Sequence, residues 1–525
     1  MLNTGFPVLS TLIFFPLIAA VVLFFLKNER TIKVFTLLVS LIECVLALPI
    51  VFGFESTAKF QFVEKHAWIE PWNIFYFLGI DGISVLLIFL TVLLLPICVL
   101  CSWRYIGKRI KEFNFCLLLM TTACLGIFSA LDFVLFYIFW EAMLIPMYLI
   151  IAVWGGPKRR YASIKFFLYT LAGSTLFLAA IVALFIKTGT FSIPELMQHQ
   201  YSFQFQAWIF LAMALAFAIK VPMYPFHTWL PAAHVEAPTA GSVLLASILL
   251  KMGTYGFLRF CLPITPAASE YFAPLMIALA IISIIVGSLL ALGQSDMKKL
   301  IAYSSVAHMG FVTLGIFVFA LRGIEGAIMH MVNHGVITGA LFLLVGLIYE
   351  RSHSRELSEN LGVSKYLPAF TGFLLLFSMS AFGFPGTNGF FSKLLVLLGV
   401  FEVNFWLGVF FVIGLILGLA YLLRLLLNVG WGTPSKVQKD WQDMNLREWV
   451  YLLPLGLLVL YLGLAPGKAL EFMRPSINNL LNNFEQEKNM LVDRQTLQTV
   501  PEIVQKNTSE YETVNKKYVH FKASN

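Results

Sequence analysis

Glu141 stands in an apolar run with no other charge between Asp132 and Lys158. A carboxylate at that depth in a bilayer costs a few kcal/mol unless it is paired or internally solvated. Lys220, in LAFAIKVPMYPF, and Lys251, in LLASILLKMGTYGF, have similar surroundings. Lys393 follows a proline/glycine break in AFGFPGTNGFFSKLLVLLGV. One acid and three bases in apolar segments suit a proton path better than a substrate pocket. Burial disfavours the charged form of such groups, and a nearby opposite charge restores it. A carboxylate and an ammonium that approach and separate therefore form a switch. Lys220 and Lys251 lie too deep to snorkel easily to the headgroups; Lys393, early in its half-helix, could do so.

Histidines supply bridging groups. His308 lies in SSVAHMG, and His330 and His334 lie four apart in GAIMHMVNHG. Such residues can ligate a metal, hold haem iron or relay protons near neutral pH. No third ligand of fitting type lies nearby in the sequence, which favours the relay. His227 and His234 flank Pro231 near a loop and suit capping or gating. The cysteines Cys44, Cys98, Cys101, Cys116, Cys124 and Cys261 all fall in apolar segments. Cys98 and Cys101 have a metal-like spacing without a second pair, so all six read as core packing. There is no glycine-rich phosphate loop, Walker lysine or cysteine cluster, hence no sign of nucleotide or quinone chemistry.

These groups must be held by membrane helices. The 525 residues are 59% hydrophobic and 12% charged, with a mean hydropathy of +0.83. Runs of about 20 apolar residues, enough for a helix to cross the hydrocarbon core, recur along the chain. The alternating ten-residue segments of a membrane β-barrel are not evident. The fold class is an all-α polytopic membrane protein with about fourteen transmembrane helices. Their expected positions are 8–26, 32–53, 78–101, 114–130, 133–154, 164–186, 207–226, 239–261, 272–293, 300–320, 326–349, 368–398, 404–428 and 448–465. The twelfth is too long for one crossing, and Pro385-Gly386 predicts two half-helices.

Alternate loops collect Lys27, Arg30 and Lys33; Arg104, Lys108, Arg109 and Lys111; Lys158, Arg159, Arg160 and Lys165; Lys298 and Lys299; Arg351, Arg355 and Lys365; and Lys436, Lys439 and Arg447. This bias places those loops in the cytoplasm and both termini opposite. The net charge of +8 is thus a topology signal, not a nucleic-acid one. The N-terminus lacks a basic n-region, so the first apolar run reads as a retained span. The chain turns polar from Gly467 onward, predicting an extramembrane tail, helical around 471–494 and otherwise flexible.

The seventh span is interrupted at Pro222 and Pro225 and the twelfth at Pro385-Gly386, five spans apart. Prolines are tolerated in membrane helices. Yet paired breaks in corresponding halves also mark the central site of transporters built from inverted repeats. A lysine within eight residues of each break favours the repeat.

The stretches FSALDFVLFYIFWEAMLIPMYLIIAVWGG (128–156), KVPMYPFHTWLPAAHVEAPTAGSVLLASILLKMGTYGFLRF (220–260), SDMKKLIAYSSVAHMGF (295–311) and HMVNHGVITGALFLLVGLIYER (330–351) resemble one known family. It is the antiporter-like membrane subunit family of proton-pumping NADH:quinone oxidoreductase, respiratory complex I, in its subunit M (chain 4) branch. The match runs over roughly residues 75–430.

The resemblance implies two inverted five-helix repeats, each with a broken helix. The chain then divides into N-terminal helices (1–113), a first repeat (114–261), a second (272–428), a linker with the last helix (429–466) and the polar tail (467–525). It implies Glu141 as the carboxylate partner of Lys220 on the broken helix and Lys251 as the central lysine. His308 and His334 would lie on the axis leading to Lys393. No cofactor is implied in this chain; FMN and iron–sulfur clusters belong to other subunits. Its implied partners are the other membrane-arm subunits, including sister antiporter-like chains, together with lipids and protons. Neither nucleic acid nor NADH is expected to touch it. Its implied location is the inner, cytoplasmic membrane of a bacterium.

Two positions depart from the family pattern. A glutamate is usual where this chain has Lys393, and Leu-Pro-Asp is usual where it has Leu230-Pro231-Ala232. A lysine at the first position is commoner in sister subunits and in multi-subunit cation/proton antiporters, so a Na⁺/H⁺ antiporter subunit is the alternative. A membrane scaffold or haem-bearing carrier would leave Glu141, Lys220 and Lys251 without a purpose. Replacing Glu141 or Lys220 by a neutral residue is expected to abolish pumping while the protein still assembles, as read by NADH-driven proton uptake beside a native gel. Normal pumping by the assembled variant would contradict the path.

Overall fold

The computed structural model describes residues 6–434 and 440–486. Among them, thirteen helices are long and apolar enough to cross a membrane. Each coincides with one expected span. The fourteenth is the split segment, Pro368–Phe382 and Asn388–Val403, whose 15- and 16-residue halves are each too short to cross alone.

Both breaks arise from local chain chemistry. The Phe203–Lys220 helix ends as Val221 and Met223 donate their N–H groups back to Phe217 and Ala218. Pro222 and Pro225 cannot continue the ladder. The carbonyl freed at Ile219 accepts the Trp229 indole N–H at 2.8 Å. At the second break Gly383 takes φ +92°, which favours glycine. It donates to Met379 and Ser380, and Phe384 donates to Met379, closing the helix with a Schellman turn.

Two elements differ from the expectation. Residues 78–80, expected to open the third span, belong instead to the strand Ile74–Ile80, and that span starts at Val85. Ile74–Ile80 pairs antiparallel with Gln61–Ile69. Its near-continuous apolar run hides the strand, because it leads straight into a membrane helix. The tail is helical over 467–486, starting earlier than expected, and the expected stretch beyond 486 lies outside the described residues. Ala469, Met473, Ile477, Leu480 and Phe484 form its buried face, at the three- and four-residue spacing of an amphipathic helix.

Enclosure separates the helices. Thr239–Ile264 is buried over 100% of its apolar window, and Met297–Phe317 and Leu321–Ser352 over 94%. Arg159–Thr188, Pro266–Leu292 and Phe405–Trp431 reach only 39%. The enclosed three carry Lys251, His308, and His330 with His334. Small residues let them approach one another and the Asn388–Val403 half-helix closely, as membrane helix packing favours: Gly315 lies against the Gly323 carbonyl. Gly323 of the Leu321–Ser352 helix lies against Gly399, and Gly326 against the backbone of Val396. A Cβ at Gly399 would collide with the Gly323 backbone. Gly399→Val is therefore expected to cost about 1–3 kcal/mol of packing or more. Several-fold less subunit should reach the assembled form on a native gel.

Candidate functional site

Lys251 is fully buried. Its helix widens into π turns on both sides, at Leu245–Leu249 and Phe257–Cys261. Such turns displace side chains from the regular face and recur at functional sites. Lys251 Nζ donates to the Ala246 carbonyl at 2.5 Å and meets His334 Nδ1 at 2.6 Å. No carboxylate lies within 4.0 Å of it (among the described residues). Eight residues on, Arg259 pairs with Asp81 and donates to the Tyr255 hydroxyl at 3.1 Å. Asp81 also accepts from the backbone of Ile83 and Ser84, where the third span begins. This buried pair fixes the register of the lysine helix against the hairpin strand's end.

From Lys251 a row of titratable groups runs toward the second break. The His334 and His308 rings lie 5.3 Å apart, centroid to centroid. His308 Nδ1 meets His330 Nε2 at 3.1 Å, and His330 Nδ1 meets Ser392 Oγ at 3.0 Å. Lys393 follows Ser392 in the chain. Its Nζ donates to Ala381 O at 2.6 Å, across the break, and stands 5.6 Å from the Phe311 ring centroid. Asn388 braces the break: it bonds Asn333 at 3.0 Å and accepts from Ser380 at 2.6 Å. His334 Nε2 has no partner. His330 offers one nitrogen to each neighbour, so a proton taken at one can be released from the other. His308 Nε2 meets the Tyr421 hydroxyl at 3.5 Å, and His334 and His308 adjoin without a direct hydrogen bond.

Lys220 and Glu141 form the other end. Lys220 is buried at the lip of the first break. Its Nζ lies 4.6 Å from the Trp140 ring centroid and 3.9 Å from Met143 Sδ. An aromatic face holds a cation more weakly than a carboxylate does. Glu141 neighbours both contacts in sequence and is hydrogen-bonded to Tyr137, yet its carboxylate makes no ion pair with Lys220 within 4.0 Å, and its Oε1 is buried without a partner among the described residues. The pair is therefore open. No direct hydrogen bond joins Lys220 to Lys251; Gly253, between them in the packing, rests on the backbone of Val221 and Phe217.

All six expected residues thus lie in or beside the enclosed helices. Lys251, His334, His308 and Lys393 form one row, and Glu141 and Lys220 stand at the opposite break without touching. His330, noted in the sequence but not carried onto the axis by the resemblance, is the link between His308 and Ser392. Ser392 had no signal of its own beyond its place before Lys393. His234, expected near a loop, is fully buried, stacked 4.5 Å from Phe342 with both ring nitrogens unpartnered. Glu43, on the Glu29–Leu46 helix, is also fully buried with both oxygens unpartnered. It was hidden in the sequence by the charges that open its helix. No group of three or more His, Cys, Asp or Glu side chains among the described residues could hold a metal ion.

Two family models match the chain. Residues 130–418 match "NADH:quinone oxidoreductase/Mrp antiporter, TM", and residues 11–127 match "NADH-ubiquinone oxidoreductase chain 4, amino terminus". The chain is 44% identical over 497 residues to NADH-quinone oxidoreductase subunit M of Rhodobacter capsulatus, covering 91% of this chain and 96% of that one. It is 43% identical to NADH-ubiquinone oxidoreductase chain 4 of Chondrus crispus, with 89% and 96% covered. A chain in the structure of respiratory complex I from Thermus thermophilus with bound NADH superposes with a TM-score of 0.84 at 28% identity, covering 91% and 99%. A chain of the Mrp complex from Dietzia sp. DQ12-45-1b shares the fold, with a TM-score of 0.77 at 22% identity and 93% and 56% covered.

Ser392→Ala removes the hydroxyl that meets His330 Nδ1, one residue before Lys393 in the chain, with little loss of volume. Proton transfer is expected to slow at least several-fold in the assembled protein, as read by the pumping rate. An unchanged rate would show that the serine is not in the path.

Proposed function

Because the chain belongs to the subunit M family of NADH-quinone oxidoreductase, we propose that it moves protons across the membrane along the row from Glu141 and Lys220 through Lys251, His334, His308 and His330 to Lys393. It is a multi-pass membrane subunit of that oxidoreductase. Electron transfer takes place on carriers held by other subunits, and this chain contributes proton handling. Its membrane is the inner membrane of a bacterium, and sister antiporter-like subunits flank it.

The single observation that carries the reading is the Lys251–His334 contact. A buried lysine whose partners are a carbonyl and an imidazole, with no acid, can hold a proton or pass it on at small cost. A buried ion pair would lock it instead. Closing the Glu141–Lys220 gap would stabilise the charge on Lys220. Opening it would push the proton toward Lys251, since charges interact far more strongly here than in water. The two broken helices then belong to two units, 114–261 and 272–428, of opposite orientation. The antiporter alternative is favoured only by Lys393; the identity to oxidoreductase subunits weighs against it.

In the assembled complex reconstituted into vesicles, Lys251→Met is expected to lower the protons moved per electron to less than about a tenth, by the same logic that assigns a positioned proton-transfer group 10²–10⁴-fold. An assembled variant with an unchanged ratio would overturn the reading.

A further inference from the structure

One further buried acid, Glu325, lies on the helix that carries His330 and His334. Glu325 lies near the start of the Leu321–Ser352 helix, about 7.5 Å along the axis from His330 at 1.5 Å per residue. It is 2% exposed. Its carboxylate is held at 2.6 Å by Arg474, whose side chain is 52% exposed on the tail helix 467–486. That helix straps the N-terminal helices and the second unit together, on the face expected to be non-cytoplasmic. Gly82 donates to Ser476 Oγ at 3.1 Å, Phe54 meets Phe472 at 5.5 Å, and Phe319 stacks on Phe484 at 4.6 Å.

The helices bearing Glu325 and Lys393 run antiparallel: Asn333 meets Asn388, His330 meets Ser392, and Gly326 meets Val396. Lys393 therefore lies about 6 Å, along the axis, from the level of Glu325. Its ammonium now points back across the break to Ala381. A four-carbon stem with free rotation can turn it outward.

We propose that Glu325 is the outer terminal proton site, one step beyond Lys393, and that Arg474 is its gate. This inference rests on the proton-path reading above. Lys393 swings from Ala381 and gives one proton to the Glu325 carboxylate, leaving an amine and a carboxylic acid. The acid no longer holds the guanidinium, and Arg474 turns into outer water. Glu325 then loses its proton to that water and recaptures Arg474. The returning pair bars a proton from re-entering the row. A buried pair is costly to break by removing one partner, and protonation breaks it without leaving a bare charge inside.

The test compares Glu325→Gln, Arg474→Gln and the double variant with Lys251→Met, each in the assembled complex in vesicles, by protons moved per electron. Glu325→Gln is expected to cut the ratio at least several-fold, and the double variant to be no worse than Glu325→Gln alone, because the two act as one unit. Glu325→Asp is expected to restore most of the ratio. If Lys251→Met abolishes pumping and Glu325→Gln leaves the ratio unchanged, the terminal site is wrong and the row stands. If both leave it unchanged, the proton-path reading falls as well. Should Glu325→Gln fail to assemble, Arg474→Gln, at an exposed position, carries the same comparison: a normal ratio there overturns the gate.

Discussion

A lysine side chain enclosed by helices, with an imidazole in place of a counter-ion, is the constraint around which the protein is arranged. Lys251 could not be kept there by a hydrocarbon core alone. The widened turns around it supply the Ala246 carbonyl, and the neighbouring helix supplies His334. Helices this polar cannot face lipid, so the three that carry the row are the most enclosed and the apolar ones surround them. Their close approach to one another and to the Asn388–Val403 half-helix in turn requires glycine at contacts such as Gly315 with Gly323 and Gly323 with Gly399. Chemistry, packing and composition are in this sense one requirement.

The two breaks serve the same requirement from different sides. A continuous helix satisfies its own backbone and offers nothing to a buried charge. Interrupting it frees carbonyls at membrane depth. Ala381 O holds Lys393 across the second break, while Ile219 O, at the first, is taken by Trp229 and leaves Lys220 to an aromatic face. The two lysines at the breaks are thus held differently: one by a carbonyl, one by weaker contacts beside a carboxylate that forms no ion pair with it. An asymmetry of this kind lets one end respond to its neighbour while the other retains its proton.

Most of this could be read from the sequence because membrane helices announce themselves by length, and charges inside them stand out against an apolar background. Glu141, Lys220, Lys251 and Lys393 needed no structure to be singled out. The hairpin strand Ile74–Ile80 was not legible, since an apolar strand next to an apolar helix has no boundary that composition reveals. Nor was the selection among the histidines. His330 and His334 are one turn apart, and only the packing of the Leu321–Ser352 helix between two others shows that one faces Lys251 and the other faces Ser392. Glu325 has no signal of its own in the sequence, because its partner Arg474 comes from the far end of the chain.

The account stands or falls on the row being one path in series. The most direct test is a double-variant comparison of Lys251→Met and Lys393→Met in the assembled complex, scored as protons moved per electron. Groups in series predict that the double variant loses no more than the worse single variant. Losses that multiply would mean that the two lysines act independently, and the single path would be contradicted.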